Sequence, residues 1–349
     1  MIPLIEKLAV THALNGEELL TLLQGQTPET AALLAEKAHA LRCQVYGNGV
    51  FIRGLIEFTN YCRCDCYYCG IRRSNPAVCR YRLTEEQILQ VCQQGHDLGI
   101  RSFVLQGGED PAFTPERIGE LVHRIKVQYP DSALTLSVGE QPRQVYQHWF
   151  DAGADRYLLR HETADPKHYA RLHPQRQSFA SRMQCLQDLK DIGYQVGCGF
   201  MVGSPGQTDA QLVQDLLFLQ SFRPHMVGVG PFIPQKDTPL GQYPGGSVDK
   251  TLYLLSIIRL LLPRVLLPAT TALGTLHPEG RERGILAGAN VCMPNLSPGD
   301  IRKKYALYDN KLSDGAEAAE CLDVLGRRLE AVHCPMELTR GDHIPFERN

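Results

Sequence analysis

The sequence predicts an α/β protein built as a TIM-type (βα)8 barrel. From Val50 onward, eight short β-rich runs alternate with longer amphipathic runs, as expected for repeated βα units. Glycine or polar residues follow each β-rich run, where a barrel strand would end in a loop. Eight parallel strands joined by right-handed crossovers close into a barrel. The alternative is an open doubly wound sheet, which would hold its ligand at a switch point.

Local signals place the individual elements. The predicted strands cover 51–58, 102–105, 133–138, 156–159, 195–202, 226–229, 265–268 and 290–293. Capping motifs at 27–29, 84–87, 114–115 and 208–211 predict helix starts. We therefore expect three parts: a helical N-terminal extension over 1–48, the barrel over 49–313, and a C-terminal helix and tail over 314–349 packed on the barrel.

Composition and charge narrow the class of protein. The chain has 349 residues and a formal net charge of −2, which gives no global electrostatic basis for binding nucleic acid or an anionic membrane. Its most apolar segment, 252–269, is interrupted by Arg259, Pro263 and Arg264, so no membrane span is expected. Twelve cysteines without a visible secretory signal indicate metal or redox chemistry in the cytoplasm. No extended apolar face stands out, so a monomer is expected.

Four cysteines lie close together in the loop after the first predicted strand. Cys62, Cys66 and Cys69 have the spacing C-x3-C-x2-C, and Cys64 lies between the first two. Three thiolates in so short a loop can hold one corner of a cubane iron–sulfur cluster and leave one iron open. A zinc site fits poorly, because structural zinc usually takes two well-separated ligand pairs. A cluster with Cys64 as a fourth ligand is the remaining alternative.

The cysteine spacing, with Tyr68 directly before the last cysteine, resembles the signature of the radical S-adenosylmethionine (SAM) enzymes. This resemblance implies a single 4Fe–4S cluster whose open iron is chelated by the amino and carboxylate groups of SAM. It also implies reductive cleavage of SAM to methionine and a 5′-deoxyadenosyl radical.

A wider match resembles the HydE maturase family of FeFe-hydrogenase, with biotin synthase and methylornithine synthase as relatives. The matching segments are 56–62, 69–73, 105–109, 158–163, 199–203 and 293–295, and the resemblance runs from about residue 30 to 335. It implies a small iron–carbonyl–cyanide–cysteine substrate, processed during assembly of the diiron subcluster of the H-cluster. The implied partners are other hydrogenase maturases and a low-potential electron donor.

The same resemblance implies roles for individual residues. The SAM contacts would be Tyr68, Gly107, Gly108, Ser137, Glu162, Arg182 and Met201. The substrate cavity would be lined by Thr135, Arg160, Thr270, Thr271 and Met293. Three of these residues have simpler alternatives: Arg182 as a surface helix residue, Met201 as strand packing, and Arg160 as one partner of an internal salt bridge to Glu57 or Glu162.

One departure from the family pattern concerns a second cluster. Many HydE proteins carry three cysteines spaced C-x7-C-x2-C near the C-terminus, whereas the aligned positions here are Ser313, Cys321 and Val324. Because only one of the three cysteines remains, we expect no auxiliary cluster. Two other functions remain open: a radical SAM mutase or synthase acting on a small amino acid, like methylornithine synthase, and an iron–sulfur scaffold or electron carrier without SAM chemistry.

Overall fold

Parallel strands form the centre of the protein. A computed structural model describes residues 1–315 and 319–344. The strands, in chain order β1 to β11, are Val50–Ile52, Gly54–Thr59, Ser102–Gly107, Ala133–Ser137, Arg156–Leu158, Gln195–Cys198, Met201–Val202, Met226–Val227, Gly230–Pro231, Val291–Cys292 and Met336–Glu337. The largest sheet has the order β2-β3-β4-β5-β6-β8, and all its pairs are parallel.

Shorter pairings continue this sheet around the barrel. Met226 of β8 forms a parallel bridge with Leu266, and Pro268 forms another with Val291 of β10. β10 in turn pairs in parallel with β1, which precedes β2 in the chain. The strand order therefore runs once around the molecule and returns to its start, as predicted for a (βα)8 barrel.

The later strands are more broken than the sequence predicts. The fifth predicted strand, 195–202, is divided into β6 and β7, because Gly199 between them has φ 150° and its neighbour Gly228 is too close for a side chain. The sixth, 226–229, is shortened to β8, and β9 follows it at the residues predicted to end the strand. The seventh, 265–268, is reduced to the two isolated bridges. Strands of two to four residues leave this side of the barrel with few ladder hydrogen bonds.

Helices surround the strands. Those of the predicted extension, α1 to α3, are Ile2–Thr11, Gly16–Gln24 and Pro28–Tyr46. Those of the barrel, α4 to α13, are Glu85–Asp97, Pro115–Gln128, Arg143–Asp151, Pro166–Leu172, Phe179–Ile192, Asp209–Phe222, Val248–Leu261, Thr271–Leu276, Gly280–Leu286 and Gly299–Arg302; α14 is Leu322–Glu330. The predicted capping boxes at Thr84 and Thr208 are present, and Thr27 and Thr114 cap α3 and α5. In the described part of the chain, no helix combines the length and apolarity needed to cross a membrane.

The amino-terminal end of the barrel has a floor that the sequence does not predict. After α14, β11 pairs in parallel with β1, which places the residues that follow it under the barrel. There Asp342 accepts a hydrogen bond of 2.7 Å from the fully buried guanidinium of Arg156, and Arg340 pairs with Asp155 at 3.1 Å. The predicted C-terminal helical tail therefore includes a strand and an ion-paired floor. The exact three-part division of the chain stays a prediction.

Candidate active site

The cysteine loop begins where β2 ends, at the carboxyl end of the barrel. Asn60 holds its base: its amide nitrogen donates to the carbonyls of Cys79 and Lys304, at 2.9 and 2.8 Å. Arg80 holds its middle by donating to the carbonyls of Asn60, Ile71 and Arg72. A half-buried guanidinium that satisfies three carbonyls fixes a loop which has no regular structure of its own.

The three cysteines of the motif have different surroundings. The Cys62 sulfur accepts N–H donors from Cys64 and Glu109, each at 3.4 Å, and Cys64 together with these donors lowers the pKa of Cys62. The Cys66 sulfur lies 3.2 Å from the side-chain nitrogen of Gln177, while burial raises its pKa to about 11. Burial likewise raises the pKa of Cys69. All three are free thiols.

This donor set fits an iron–sulfur cluster. Thiolates are the usual ligands of such clusters, and hydrogen bonds to sulfur tune the reduction potential. Cys64 differs from Cys62, because its hydrogen bond to Cys62 and its burial raise its pKa. Among residues 1–315 and 319–344, no group of three or more His, Cys, Asp or Glu side chains is placed to hold a single metal ion.

Two glycines let β3 touch the cysteine loop. A Cβ at Gly108 would lie 2.2 Å from the Tyr61 carbonyl oxygen and 2.6 Å from the Cys62 Cβ. A Cβ at Gly107 would lie 2.8 Å from the Thr59 side chain. Glycine is therefore required at Gly108 by close backbone approach. The predicted contact of both glycines with the SAM amino group stays a prediction.

Arg160 and Glu162 form a charged pair beyond the end of β5. An Arg160 guanidinium nitrogen is 3.2 Å from Glu162 Oε2, without the geometry of a hydrogen bond. Arg160 Nε, Arg160 Nη2 and Glu162 Oε2 are all buried atoms with no hydrogen-bond partner among the described residues. Glu162 also has a left-handed backbone, with φ 65°. Such unpartnered charged atoms fit a polar ligand that supplies the missing hydrogen bonds.

The structure distinguishes between the two salt bridges predicted for Arg160, one to Glu57 and one to Glu162. Glu57 is occupied elsewhere: it pairs with Lys311, and its Oε2 accepts a 2.7 Å hydrogen bond from Asn295. The partner of Arg160 is therefore Glu162.

Arg182 is buried within α8, so the surface-helix alternative for it is wrong. Its Nε donates to Glu140 Oε1 at 2.6 Å, and Nη1 donates to the Arg160 carbonyl at 2.5 Å. The guanidinium carbon also lies 5.9 Å from the centre of the Tyr169 ring. These contacts link Arg182 to the Arg160–Glu162 segment.

Tyr68 and Met201 belong to the same small packing cluster. Met201 belongs to a small buried cluster with Leu172 and Phe232, against which Tyr68 packs. The Tyr68 hydroxyl is 3.3 Å from His173 Nε2, and the two rings meet edge to face at 5.5 Å. Burial lowers the pKa of His173 to about 3, so this ring is neutral at physiological pH. Strand packing thus accounts for the position of Met201, and its adenosyl contact stays a prediction.

Strand register places the remaining polar residues on the interior face. Val104, Thr135 and Arg156 are level across β3 to β5, and one layer higher Gln106 is level with Ser137. Since alternate residues share a face, Thr135 and Ser137 point inward with Arg156, which reaches the floor. The buried Thr135 hydroxyl has no hydrogen-bond partner among the described residues.

The other predicted substrate residues lie on the far side of the barrel. Thr270 lies against Gly230, and within the described chain its buried hydroxyl makes no hydrogen bond. Thr271 is the first residue of α11, and its carbonyl accepts a hydrogen bond from Thr275. Met293 packs with the apolar cluster of Met226, Leu266 and Val291. Direct contact of all five predicted substrate residues with one ligand stays a prediction.

The sequence analysis did not predict several residues of the site. Gln177 contacts Cys66, Glu140 holds Arg182, and Asp215 of α9 accepts hydrogen bonds from the His161 ring and from the Ala164 N–H. His161 and Asp215 are fully buried and fix the segment that carries Glu162. Glu140 and Arg182 are 42 positions apart in the sequence, and Gln177 and Cys66 are 111 apart. No motif spacing connects the members of these pairs.

Comparison with known proteins agrees with this geometry. A family model described as the radical SAM superfamily matches residues 56–219. The chain is also 46% identical over 297 residues to the [FeFe] hydrogenase maturase subunit HydE of Thermotoga maritima, covering 85% of this chain and 84% of that protein. The chain belongs to the radical SAM superfamily. As a radical SAM enzyme, it is a member of a family that uses a 4Fe–4S cluster and SAM.

Other relatives of this radical SAM enzyme support the fold. The 3-methylornithine synthase of Methanosarcina acetivorans is 30% identical over 312 residues, 88% of this chain and 87% of that one. The crystal structure of methylornithine synthase (PylB) superposes with a TM-score of 0.84 at 29% identity, over 96% and 97% of the two chains. The structure of the FeFe-hydrogenase maturase HydG gives 0.76 at 20% identity, over 90% and 72%, and shows the fold alone. The predicted barrel class is confirmed.

Proposed function

We propose that this radical SAM enzyme is a HydE-type maturase of FeFe-hydrogenase. Its substrate would be a small iron–carbonyl–cyanide–cysteine complex, processed on the way to the diiron subcluster of the H-cluster. The observation that carries the proposal is the 46% identity over 297 residues to the HydE of Thermotoga maritima. The polar interior of the barrel supports it.

Cys62, Cys66 and Cys69 would hold the cluster. When bound, the cluster and SAM supply one-electron cleavage of SAM and an adenosyl radical. The Gln177 amide and the Glu109 N–H donate toward the sulfurs, which favours their thiolate form. The Glu162 carboxylate would accept from the SAM ammonium or ribose, and Arg182, held by Glu140, would orient toward the carboxylate of SAM.

We expect the interior of the barrel below the cysteine loop, called the chamber from here on, to hold an anionic substrate. Arg160 Nε and the Thr135 and Thr270 hydroxyls are buried and have no hydrogen-bond partner within residues 1–315 and 319–344, so they can offer hydrogen bonds to a ligand. The floor made by Arg156 and Asp342 covers the opposite end, where the Arg156 side chain is fully buried. Exclusion of water would protect a reactive intermediate, and a fixed substrate position would favour reaction with the adenosyl carbon. Cytoplasmic location, a monomeric state, a single cluster, an electron donor and other hydrogenase maturases as partners belong to the same proposal.

A second candidate function is a methylornithine synthase-like reaction on a small amino acid. The TM-score of 0.84 to that enzyme favours it, because the whole frame is shared. The same Arg160 cation would then bind the carboxylate of the amino acid.

Two assays separate these functions. The reconstituted protein is reduced anaerobically with SAM, and 5′-deoxyadenosine is measured; absence of cleavage would contradict both. The protein is then added to, or omitted from, an in vitro maturation of apo-FeFe-hydrogenase. In a separate reaction, the protein is incubated with candidate amino acids, and 3-methylornithine is measured as product. Hydrogenase activity that depends on this protein supports the maturase, and 3-methylornithine formation supports the second candidate.

A matched pair of variants connects the maturase assay to the chamber. Thr135→Val removes only a buried hydroxyl that has no hydrogen-bond partner among the described residues, so folding should be preserved. We expect it to retain SAM cleavage and lose maturation. Thr251→Val is the control, because the buried Thr251 hydroxyl lies in α10, outside the chamber, and donates to the Ser247 carbonyl. Equal maturation by both variants would argue against Thr135 as a substrate contact.

A further inference from the structure

Tyr169 carries a polar group that neither the cysteine loop nor the predicted SAM contacts use. The residue lies in α7, which begins shortly after Glu162, and 1% of its surface is exposed. Its hydroxyl oxygen is buried and makes no hydrogen bond within residues 1–315 and 319–344. Because an unpaired buried hydroxyl costs free energy, this one indicates a ligand or an ordered water that completes it.

Two contacts place α7 between the cysteine loop and the segment that carries Glu162. At the carboxyl end of the helix, the Leu172 carbonyl accepts a hydrogen bond of 2.9 Å from the Tyr67 N–H, within the cysteine loop. At its start, Asp165 caps the helix by accepting a hydrogen bond of 2.6 Å from the His168 N–H. Tyr169 therefore lies on a short helix that joins two parts of the site.

His173 holds the ring of Tyr169 in place. The two rings stack with their centres 3.9 Å apart and an angle of 19° between their planes. His173 Nδ1 lies 3.0 Å from the Tyr169 carbonyl, which can only accept, so Nδ1 carries the proton of this neutral ring. Nε2 then accepts from the Tyr68 hydroxyl at 3.3 Å. Of these two tyrosines, Tyr169 is the one whose hydroxyl has no partner in the described chain.

Charged groups of the site surround this hydroxyl. The Arg182 guanidinium carbon is 5.9 Å from the centre of the Tyr169 ring, and the charges of Cys66 and Glu162 also act on Tyr169. Burial raises the pKa of Tyr169, so the hydroxyl keeps its proton and can donate. A donor beside a guanidinium suits an anionic acceptor. The anionic group of SAM is its carboxylate.

We propose that the Tyr169 hydroxyl donates a hydrogen bond to the carboxylate of bound SAM, beside Arg182. This inference rests on the proposed SAM site and adds to it a cofactor-binding residue. The hydroxyl gains its missing partner when SAM binds, so the cost of burying it is recovered in the complex. Tyr169 thereby recognises the amino-acid end of SAM and makes no contact with the adenosine.

The substitution Tyr169→Phe removes the hydroxyl and keeps the ring that stacks on His173. Two nucleosides are titrated into the cluster-loaded protein: S-adenosylhomocysteine, which carries the amino-acid end, and 5′-methylthioadenosine, which lacks it. The variant should bind S-adenosylhomocysteine about tenfold more weakly than the wild type does, because a hydrogen bond to a charged group is lost. Its affinity for 5′-methylthioadenosine should equal that of the wild type.

Tyr253→Phe is the matched control, because it removes a buried hydroxyl that has a partner. The Tyr253 hydroxyl donates to the Leu22 carbonyl at 2.9 Å, where α10 meets the helical extension. Its removal should lower the unfolding temperature and leave both affinities unchanged. Without nucleoside, Tyr169→Phe should instead unfold at or above the wild-type temperature, because the hydroxyl that it removes has no partner in the described chain.

Three results would overturn the inference. Equal affinity of the wild type and Tyr169→Phe for S-adenosylhomocysteine would show that the hydroxyl does not contact the carboxylate. An equal loss of affinity for both nucleosides would place the contact on the adenosine. A lowered unfolding temperature of Tyr169→Phe would show that the hydroxyl has a partner within the folded chain. Failure of the wild type to bind S-adenosylhomocysteine would instead contradict the proposed SAM site itself, so the two failures are distinguishable.

Discussion

Replacing Glu162 with glutamine tests the proposed SAM site most directly. The Glu162 side chain is 9% exposed, and its Oε2 has no hydrogen-bond partner among the described residues. Burying this carboxylate therefore costs free energy that no hydrogen bond from these residues to Oε2 offsets. A hydrogen bond from a charged group contributes about 1.5–3 kcal/mol. Glu162→Gln should therefore weaken SAM binding by about tenfold to hundredfold.

The variant should fold normally. Glutamine has the same shape as glutamate and meets the same backbone cost at φ 65°. The neighbouring Arg160 side chain is 33% exposed, although its Nε and Nη2 are buried, so part of the guanidinium keeps contact with water after the carboxylate is lost. The unfolding temperature should accordingly stay close to that of the wild type.

The assay is equilibrium binding of SAM to the cluster-loaded protein, followed by measurement of 5′-deoxyadenosine. Glu120→Gln, the same substitution at an exposed position of α5, serves as the control. A change in the dissociation constant of less than about threefold would refute the reasoning, because a charged hydrogen bond is worth more than that.

Three further predictions concern the loop and the floor. Cys62→Ala should lose bound iron and Cys64→Ala should keep it; the reverse result would overturn the three-cysteine assignment. Gly108→Ala should lose cluster and SAM binding because its Cβ would lie 2.2 Å from a carbonyl oxygen, whereas Gly299→Ala, with open space around it, should lose neither; both are measured by iron content and SAM titration. Asp342→Asn should lower the free energy of unfolding by about 1–3 kcal/mol, below the full value for a buried pair because Asp342 is 32% exposed. Arg156 and the other hydrogen bonds of Asp342 hold its pKa far below the usual range, so this difference should be complete above about pH 4 and shrink as the pH falls further; unfolding by urea at several pH values measures it, and an equal difference at pH 7 and pH 2 would contradict it.

The sequence predicts the parts of this fold that depend on local chemistry. Helix starts at Thr27, Thr84, Thr114 and Thr208 follow from side-chain capping, which involves residues three positions apart. The first four strands follow from β-rich runs ended by glycine or polar residues. The position of the cysteine loop at the carboxyl end of β2 follows from the strand order alone.

The remaining features depend on contacts between distant positions. Lys311 pairs with Glu57 across 254 positions, and Gln177 reaches Cys66 across 111. Such pairs leave no periodic pattern in the sequence. The burial of Arg182 is a similar case: helical spacing places it on α8, but only the folded chain shows that Glu140 and Tyr169 cover it. The short strands β7 to β10 are also set by packing, since their hydrogen-bond ladders are brief.

The floor of the barrel has a consequence for the order in which the molecule is assembled. The Arg53 guanidinium reaches the carbonyl of Gly341 across 288 positions, and Arg156 reaches Asp342 across 186. During synthesis, the strands that carry Arg53 and Arg156 leave the ribosome long before the residues that cover them. Until then, two buried cations lack these floor partners and the barrel is open at one end. Contacts between such distant positions slow folding. The residues that complete the floor are therefore synthesised after the rest of the barrel, and the floor can form only once they are present.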